Sequence, residues 1–151
     1  MEDYMSNTHI KSLASLLENT NDNVAVLANA SAFIYEILDD VNWVGFYINK
    51  NNALKLGPFQ GRPACVDIKI GKGVCGSSAS SRKSIIIEDV KKIDNYISCH
   101  DETRSEIVIP MIKDNILIGV LDIDSTKVSR FTENDQLLLE DLVSVIINNL
   151  E

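Results

Sequence analysis

Residues 105–125, SEIVIPMIKDNILIGVLDIDS, constrain the fold more than any other stretch of the chain. Two apolar runs rich in Ile and Val flank a short polar break at Lys113, Asp114 and Asn115. β-Branched side chains fit a pleated surface and Asp and Asn favour turns, so the stretch predicts an antiparallel hairpin. Period-two alternation then places Ile116, Ile118, Val120, Asp122 and Asp124 on one face of the second strand. That face begins apolar and ends in two carboxylates. A turn of three residues, 113 to 115, would set Glu106 directly across from Asp122. A turn of two would send Glu106 to the opposite face, because one residue of slip inverts a strand. Opposed like charges destabilise a sheet. Acids gathered on one patch therefore need a cationic ligand, a shared proton or good solvation. The plainer alternative is that Asp122 and Asp124 are strand-end residues facing water.

The remaining elements are read outward from this hairpin. Residues 7–20 and 22–38 carry helical apolar stripes, through Ile10, Leu13, Leu16 and Leu17, and through Val24, Leu27, Ala28, Ile34, Tyr35 and Leu38. VNWVGFYIN, 41–49, alternates as a strand, with Val44, Phe46 and Ile48 on one face and Trp43, Gly45 and Tyr47 on the other. NALKLGPF reads as its hairpin partner, VDIKI (66–70) as a further strand, and SIIIEDV (84–90) as a buried strand running into the loop DNYISCHDETR. GKGVCGSSASSRK suits a tight turn into a short helix. A closing helix starts at Thr132, with Asp135 to complete its cap and Leu139, Leu142, Val143, Ile146 and Leu150 as its stripe. Antiparallel strands with helices at both ends predict an α+β domain. The N- and C-terminal helices should cover one face of a central sheet, leaving the other face free for a ligand pocket.

The chain has 151 residues, which suits one domain spanning 1–151. A net charge of −8 and no run of Lys or Arg disfavour nucleic acid and anionic membranes as partners. No apolar run approaches the length of a membrane span. MEDYMSNTHIK lacks the pattern of a secretory signal, so a cytoplasmic location is expected. Cys65, Cys75 and Cys99 are odd in number, which argues against a static disulfide framework in a reducing compartment. Their spacing matches no zinc motif, and no metal is expected, although acids could add ligands.

Trp43 and Tyr47 flank Gly45, which reads as a notch between two rings, suited to an ammonium group beside carboxylates; core packing is the ordinary alternative. Cytosolic cysteines are most often small core hydrophobes. Cys65 after GRPA and Cys99 in a polar loop, however, both read as accessible. His100 and Arg104 favour a Cys99 thiolate while the neighbouring acids oppose it, so chemistry that also needs a proton donor fits best.

Together WVGFY, LGPFQGRPAC, IxxGxGVCG, the Cys99 loop running into SEIVIP, and IGVLDIDS followed by FTExD resemble the free methionine-(R)-sulfoxide reductase family, stand-alone GAF domain proteins. The resemblance covers about residues 20 to 148. It implies a GAF-like fold and an enzyme that reduces free methionine-(R)-sulfoxide to methionine. Cys99 is then the catalytic thiol, passing through a sulfenic acid; Cys65 resolves it as a disulfide; Cys75 is an auxiliary resolving thiol. Glu106, Asp122 and Asp124 are implied to hold the substrate amino group, with Trp43 and Tyr47 as the aromatic wall. Backbone amides near the GVCG turn could receive the substrate carboxylate. Thioredoxin is the implied external reductant, and no bound cofactor is implied. A GAF domain that senses a small molecule without chemistry remains the alternative. The terminal helices could support a homodimer.

Overall fold

The computed structural model describes residues 2–151. Strands β5 (Ser105–Lys113) and β6 (Ile116–Ser125) form the expected hairpin. Its turn has two residues, not three: Lys113 pairs with Ile116 across Asp114 and Asn115. Both turn residues have positive φ, 50° and 66°, a conformation that Asp and Asn tolerate best among non-glycine residues. This turn alone would carry Glu106 to the helix-covered face. A bulge prevents it. Ile112 pairs with Leu117 but Met111 pairs with Gly119, so Ile118 is an extra residue on β6. Below the bulge Glu106 lies opposite Asp124, and Val108 opposite Asp122. The bulge also overturns the simple alternation. Ile118 packs with Leu121 and Ile123 on the helix side, whereas Leu117 and Val120 share the other face. Ile116 is exposed.

Strands β1 (Trp43–Lys50), β2 (Ala53–Gln60), β3 (Asp67–Lys69) and β4 (Ile85–Ile87) complete a six-stranded antiparallel sheet in the order β3-β2-β1-β6-β5-β4. Helices α1 (Glu2–Leu17), α2 (Asn23–Ile37) and α4 (Glu133–Asn148) pack on one face. There Leu13, Leu17, Ile34, Leu139 and Ile146 meet Val44, Phe46, Ile109, Leu121 and Ile123. Asp22 caps α2 by accepting from the Ala25 amide, and Thr132 with Asp135 forms the expected capping box of α4. The sheet thus separates a dry helix-side core from the face that carries the acids.

Some apolar positions differ from the sequence reading. Leu16, Val24 and Tyr35 are exposed. The buried stripe of α2 runs instead through Val26, Leu27, Ala30, Ser31 and Ile34. Ser31 fits that stripe because its hydroxyl donates to the Ala28 carbonyl, 2.8 Å away. SIIIEDV is not a buried strand. Only Ile85–Ile87 pairs, against β5 alone, and all three residues are half-buried. An edge strand has one neighbour, so its burial stays partial. A short 3₁₀ turn, Val90–Lys92, follows. Likewise β3 is three residues long, with Ile68 buried and Val66 exposed.

Helix α3 (Gly73–Ser81) lies across the face opposite the other helices, against β3, β5 and β6. Its small residues permit the approach. A Cβ on Gly76 would stand 2.4 Å from the Lys69 carbonyl oxygen, so only glycine fits there. No helix among the described residues is long and apolar enough to cross a membrane.

Candidate active site

The register of three adjacent strands builds the floor of the site. Trp43 of β1 lies across from Asp124 of β6, which lies across from Glu106 of β5; Gly45 lies across from Asp122. The anticipated cluster of Glu106, Asp122 and Asp124 therefore forms, though with Glu106 facing Asp124 rather than Asp122. These acids line one pocket with Trp43, Tyr47, Cys75, Tyr96, Cys99 and His100.

The notch at Gly45 is not open space. A Cβ there would meet the Trp43 ring at 2.5 Å and the Phe59 Cβ at 2.4 Å. The indole lies over its own neighbouring glycine and stacks on Phe59, with ring centres 5.2 Å apart, and on Tyr47 at 6.0 Å. Gly45 thus sets the tilt of the aromatic wall rather than making a gap in it. Both polar tips reach the strand β2–β3 connection. Trp43 Nε1 donates to the Arg62 carbonyl at 3.0 Å, and the Tyr47 hydroxyl donates to the Cys65 carbonyl at 2.8 Å.

Two loops meet at the mouth. Cys65 and Cys99 are joined by a disulfide, with Cα atoms 5.6 Å apart. His100 Nε2 lies 2.8 Å from the Pro63 carbonyl oxygen, and Arg62 pairs with Glu102 at 3.2 Å. The segment 94–102 is also tied to α3, because Asn95 accepts from the Gly73 amide and donates to the Gly71 carbonyl. Cys99 lines the pocket, whereas Cys65 reaches it through the bond to Cys99. Cys75 is reduced, only 4% exposed, and sits in the first turn of α3 beside the acids.

The acids are buried without counter-charge. Glu106, Asp122 and Asp124 are each 6% exposed, and no ion pair among the described residues involves them. Buried serines on the same strands are satisfied: Ser105 donates to the Lys127 carbonyl and Ser125 to that of Asp40. By contrast Oδ1 of Asp122 and of Asp124 are buried with no partner. Burial, and then the neighbouring carboxylates, push Glu106 and Asp124 well above the usual carboxylate range. Burial raises Asp122 too, but hydrogen bonds with Glu106 and Cys75 pull it back. Burial and the adjacent carboxylates likewise raise Cys75. Sγ of Cys75 and oxygens of Glu106 and Asp122 lie within 4.8 Å of one another, a donor set able to hold a metal ion.

Tyr96, Lys72 and Ile97 also line the pocket, and no sequence pattern singled them out. Tyr96 lies three residues before Cys99 in an irregular loop. Burial first, and then Glu106 and Asp124, raise its hydroxyl pKa, which places it within the field of the acids.

The GAF domain family matches residues 11–150. The free methionine-R-sulfoxide reductase of Escherichia coli (strain K12) is 47% identical over 130 residues, covering 86% of this chain and 79% of the relative. The reduced form of the Staphylococcus aureus fRMsr is 46% identical with a TM-score of 0.93, covering 97% of this chain and 95% of that one. The Neisseria meningitidis free methionine-R-sulfoxide reductase, solved in complex with its substrate, is 34% identical with a TM-score of 0.93, covering 99% and 90% of the two chains. This chain belongs to the GAF domain family and, within it, to the free methionine-R-sulfoxide reductases.

Proposed function

We propose that this protein reduces free methionine-(R)-sulfoxide to methionine, with Cys99 as nucleophile, Cys65 as resolving thiol and thioredoxin as external reductant. The observation that carries the reading is the Cys65–Cys99 disulfide at the mouth of a pocket floored by unpaired buried carboxylates. A free amino acid brings the ammonium group those carboxylates lack. A methionine inside a polypeptide does not, and would leave them buried and uncompensated. Asp122, which hydrogen bonds with Glu106 and Cys75 pull back toward the ionised form, faces the ammonium. Trp43 and Tyr47 pack against the substrate and its positive charge. The first turn of α3, where Lys72 supplies no side-chain cap, borders the pocket and offers a helix N-terminus to the substrate carboxylate.

Cys99 Sγ attacks the sulfoxide sulfur while Glu106 or Asp124, whose carboxyl burial raises well above the usual range, gives a proton to the oxygen and takes up the Cys99 thiol proton in its place. The oxygen passes to Cys99, leaving methionine and a Cys99 sulfenic acid. Cys65 Sγ then attacks the sulfenic sulfur. The hydroxyl leaves as water with the Cys65 proton, and the disulfide closes. Thioredoxin returns both thiols by exchange. Cys75, reduced and buried, serves in the disulfide state as the hydrogen-bonding neighbour of Asp122 rather than as the partner of Cys99.

Cys65→Ser tests the division of labour. The reduced variant is expected to form one methionine per protein and then stop with thioredoxin, leaving Cys99 oxidised. Dithiothreitol should restore turnover, because a small thiol can attack the sulfenic acid directly. Undiminished turnover with thioredoxin would remove Cys65 from the resolving role and give it to Cys75.

A further inference from the structure

The disulfide leaves one thiol over, and it lies in the acidic floor. Cys75 Sγ, a Glu106 oxygen and an Asp122 oxygen are within 4.8 Å of one another, and all three residues are more than nine-tenths buried. Independently of that cluster, Oδ1 of Asp124, which lies outside it, is buried without a partner; within it, Oδ1 of Asp122 is unpartnered as well. Together these are thiol and carboxylate donors lining one pocket, and no ion pair among the described residues involves these acids. Zinc takes thiolate at about 2.3 Å and carboxylate oxygen at about 2.0–2.2 Å, so tetrahedral donor atoms stand roughly 3.5 Å apart. Magnesium and calcium prefer all-oxygen sites, whereas a thiolate selects softer ions.

We propose that Cys75, Glu106 and Asp122, with Asp124 as the fourth donor, form a binding site for a divalent cation of the zinc class, which occupies the ammonium position and blocks the substrate. On binding, Cys75 gives its thiol proton to solvent and ligates as thiolate; no electron is transferred. The metal site stands on the geometry of the donors, and only its inhibitory consequence rests on the reductase reading. Cys75 remains reduced while Cys65 and Cys99 are joined, so the site persists in the disulfide form, which has no other thiol.

Cobalt(II) added to the metal-free disulfide form tests the site directly. One equivalent should bind, with a near-ultraviolet thiolate-to-cobalt absorption and the visible bands of a four-coordinate ion, and zinc should bleach both. Cys75→Ser should abolish the near-ultraviolet absorption. Asp122→Asn, which keeps the thiol, should retain it and weaken binding by about 10-fold or more. Circular dichroism establishes that each variant is folded. In the reduced protein, zinc should raise the apparent KM for free methionine sulfoxide without lowering kcat. No thiolate absorption from the folded wild-type protein, or absorption that survives Cys75→Ser, would overturn the proposal. So would zinc inhibition that persists undiminished in the residual activity of Cys75→Ser. Cobalt binding through Cys75 in a protein that reduces no sulfoxide would leave the metal site standing and remove the reductase reading. Active reductase without cobalt binding would do the reverse.

Discussion

Replacing Cys99 by Ser is expected to lower reduction of free methionine-(R)-sulfoxide by about 10³-fold or more, the loss usual when a covalent nucleophile is removed. The fold should survive, because Cys99 sits in the irregular segment between the 3₁₀ turn and β5 rather than in a sheet or helix. Serine oxygen is a poor nucleophile toward sulfoxide sulfur and cannot be carried through the sulfenic acid and disulfide. The variant should still bind substrate, since the acids and aromatic wall proposed to hold it belong to β1, β5 and β6. Near-normal substrate binding with vanishing turnover, measured by calorimetry and by methionine release, is the expected pair of results. Substantial residual turnover would place the reacting sulfur elsewhere.

Asp124→Asn removes one of the two carboxyls placed to donate the proton and is expected to reduce kcat by about 10²-fold, the usual scale for general acid catalysis, while stabilising the protein. Burial raises the Asp124 carboxyl above its unfolded value, so the folded protein holds that proton more tightly than the unfolded chain does. Its contribution to stability is therefore complete below the ordinary carboxylate range and is lost as pH rises through the raised folded value. Glu106 behaves the same way, so the wild-type protein should lose stability from mildly acidic to alkaline pH. Asparagine cannot ionise. The variant should unfold later at pH 8, by on the order of 1 kcal/mol, and show a flatter stability profile. Urea denaturation at pH 5 and pH 8 reads this directly. Equal destabilisation of the variant at both values would mean that Asp124 is a structural residue. The expected combination, less active and more stable, is the mark of a strained functional group.

Much of this site is legible in the residues, and the gaps have physical causes. Alternation along NILIGVLDIDS correctly joins Asp122 to Asp124, because no irregularity separates them. The link to Glu106 depends on a two-residue turn and a bulge whose effects cancel. Ile118, the extra residue, is an ordinary apolar side chain in an alternating run, so nothing in the residue type marks it. The sequence reads Gly45 as a notch, whereas the Trp43 ring fills that space. Residue spacing shows which face a ring is on, not its rotamer. The α2 stripe read from the sequence includes Val24 and Tyr35, which the structure exposes, because an amphipathic pattern with several apolar flanks does not say which one meets the sheet. Cys65 and Cys99 lie 34 residues apart and come together only through two irregular loops, so their pairing rested on family resemblance rather than on periodicity. Tyr96 carries no signal in the sequence because it lies in the Cys99 loop, where no periodicity applies.

The most direct test of the central claim, that unpaired buried carboxylates select a free amino acid, is a thioredoxin-coupled assay following NADPH loss. It compares separated R and S epimers of free methionine sulfoxide with an N-acetylated, C-amidated R form. The account requires turnover of the free R epimer, with the blocked form and the S epimer reduced at least about 10²-fold less efficiently, the scale on which unpaired buried polar groups reject a ligand. Equal reduction of the blocked form would show that Glu106, Asp122 and Asp124 do not read the amino group, and would contradict the account.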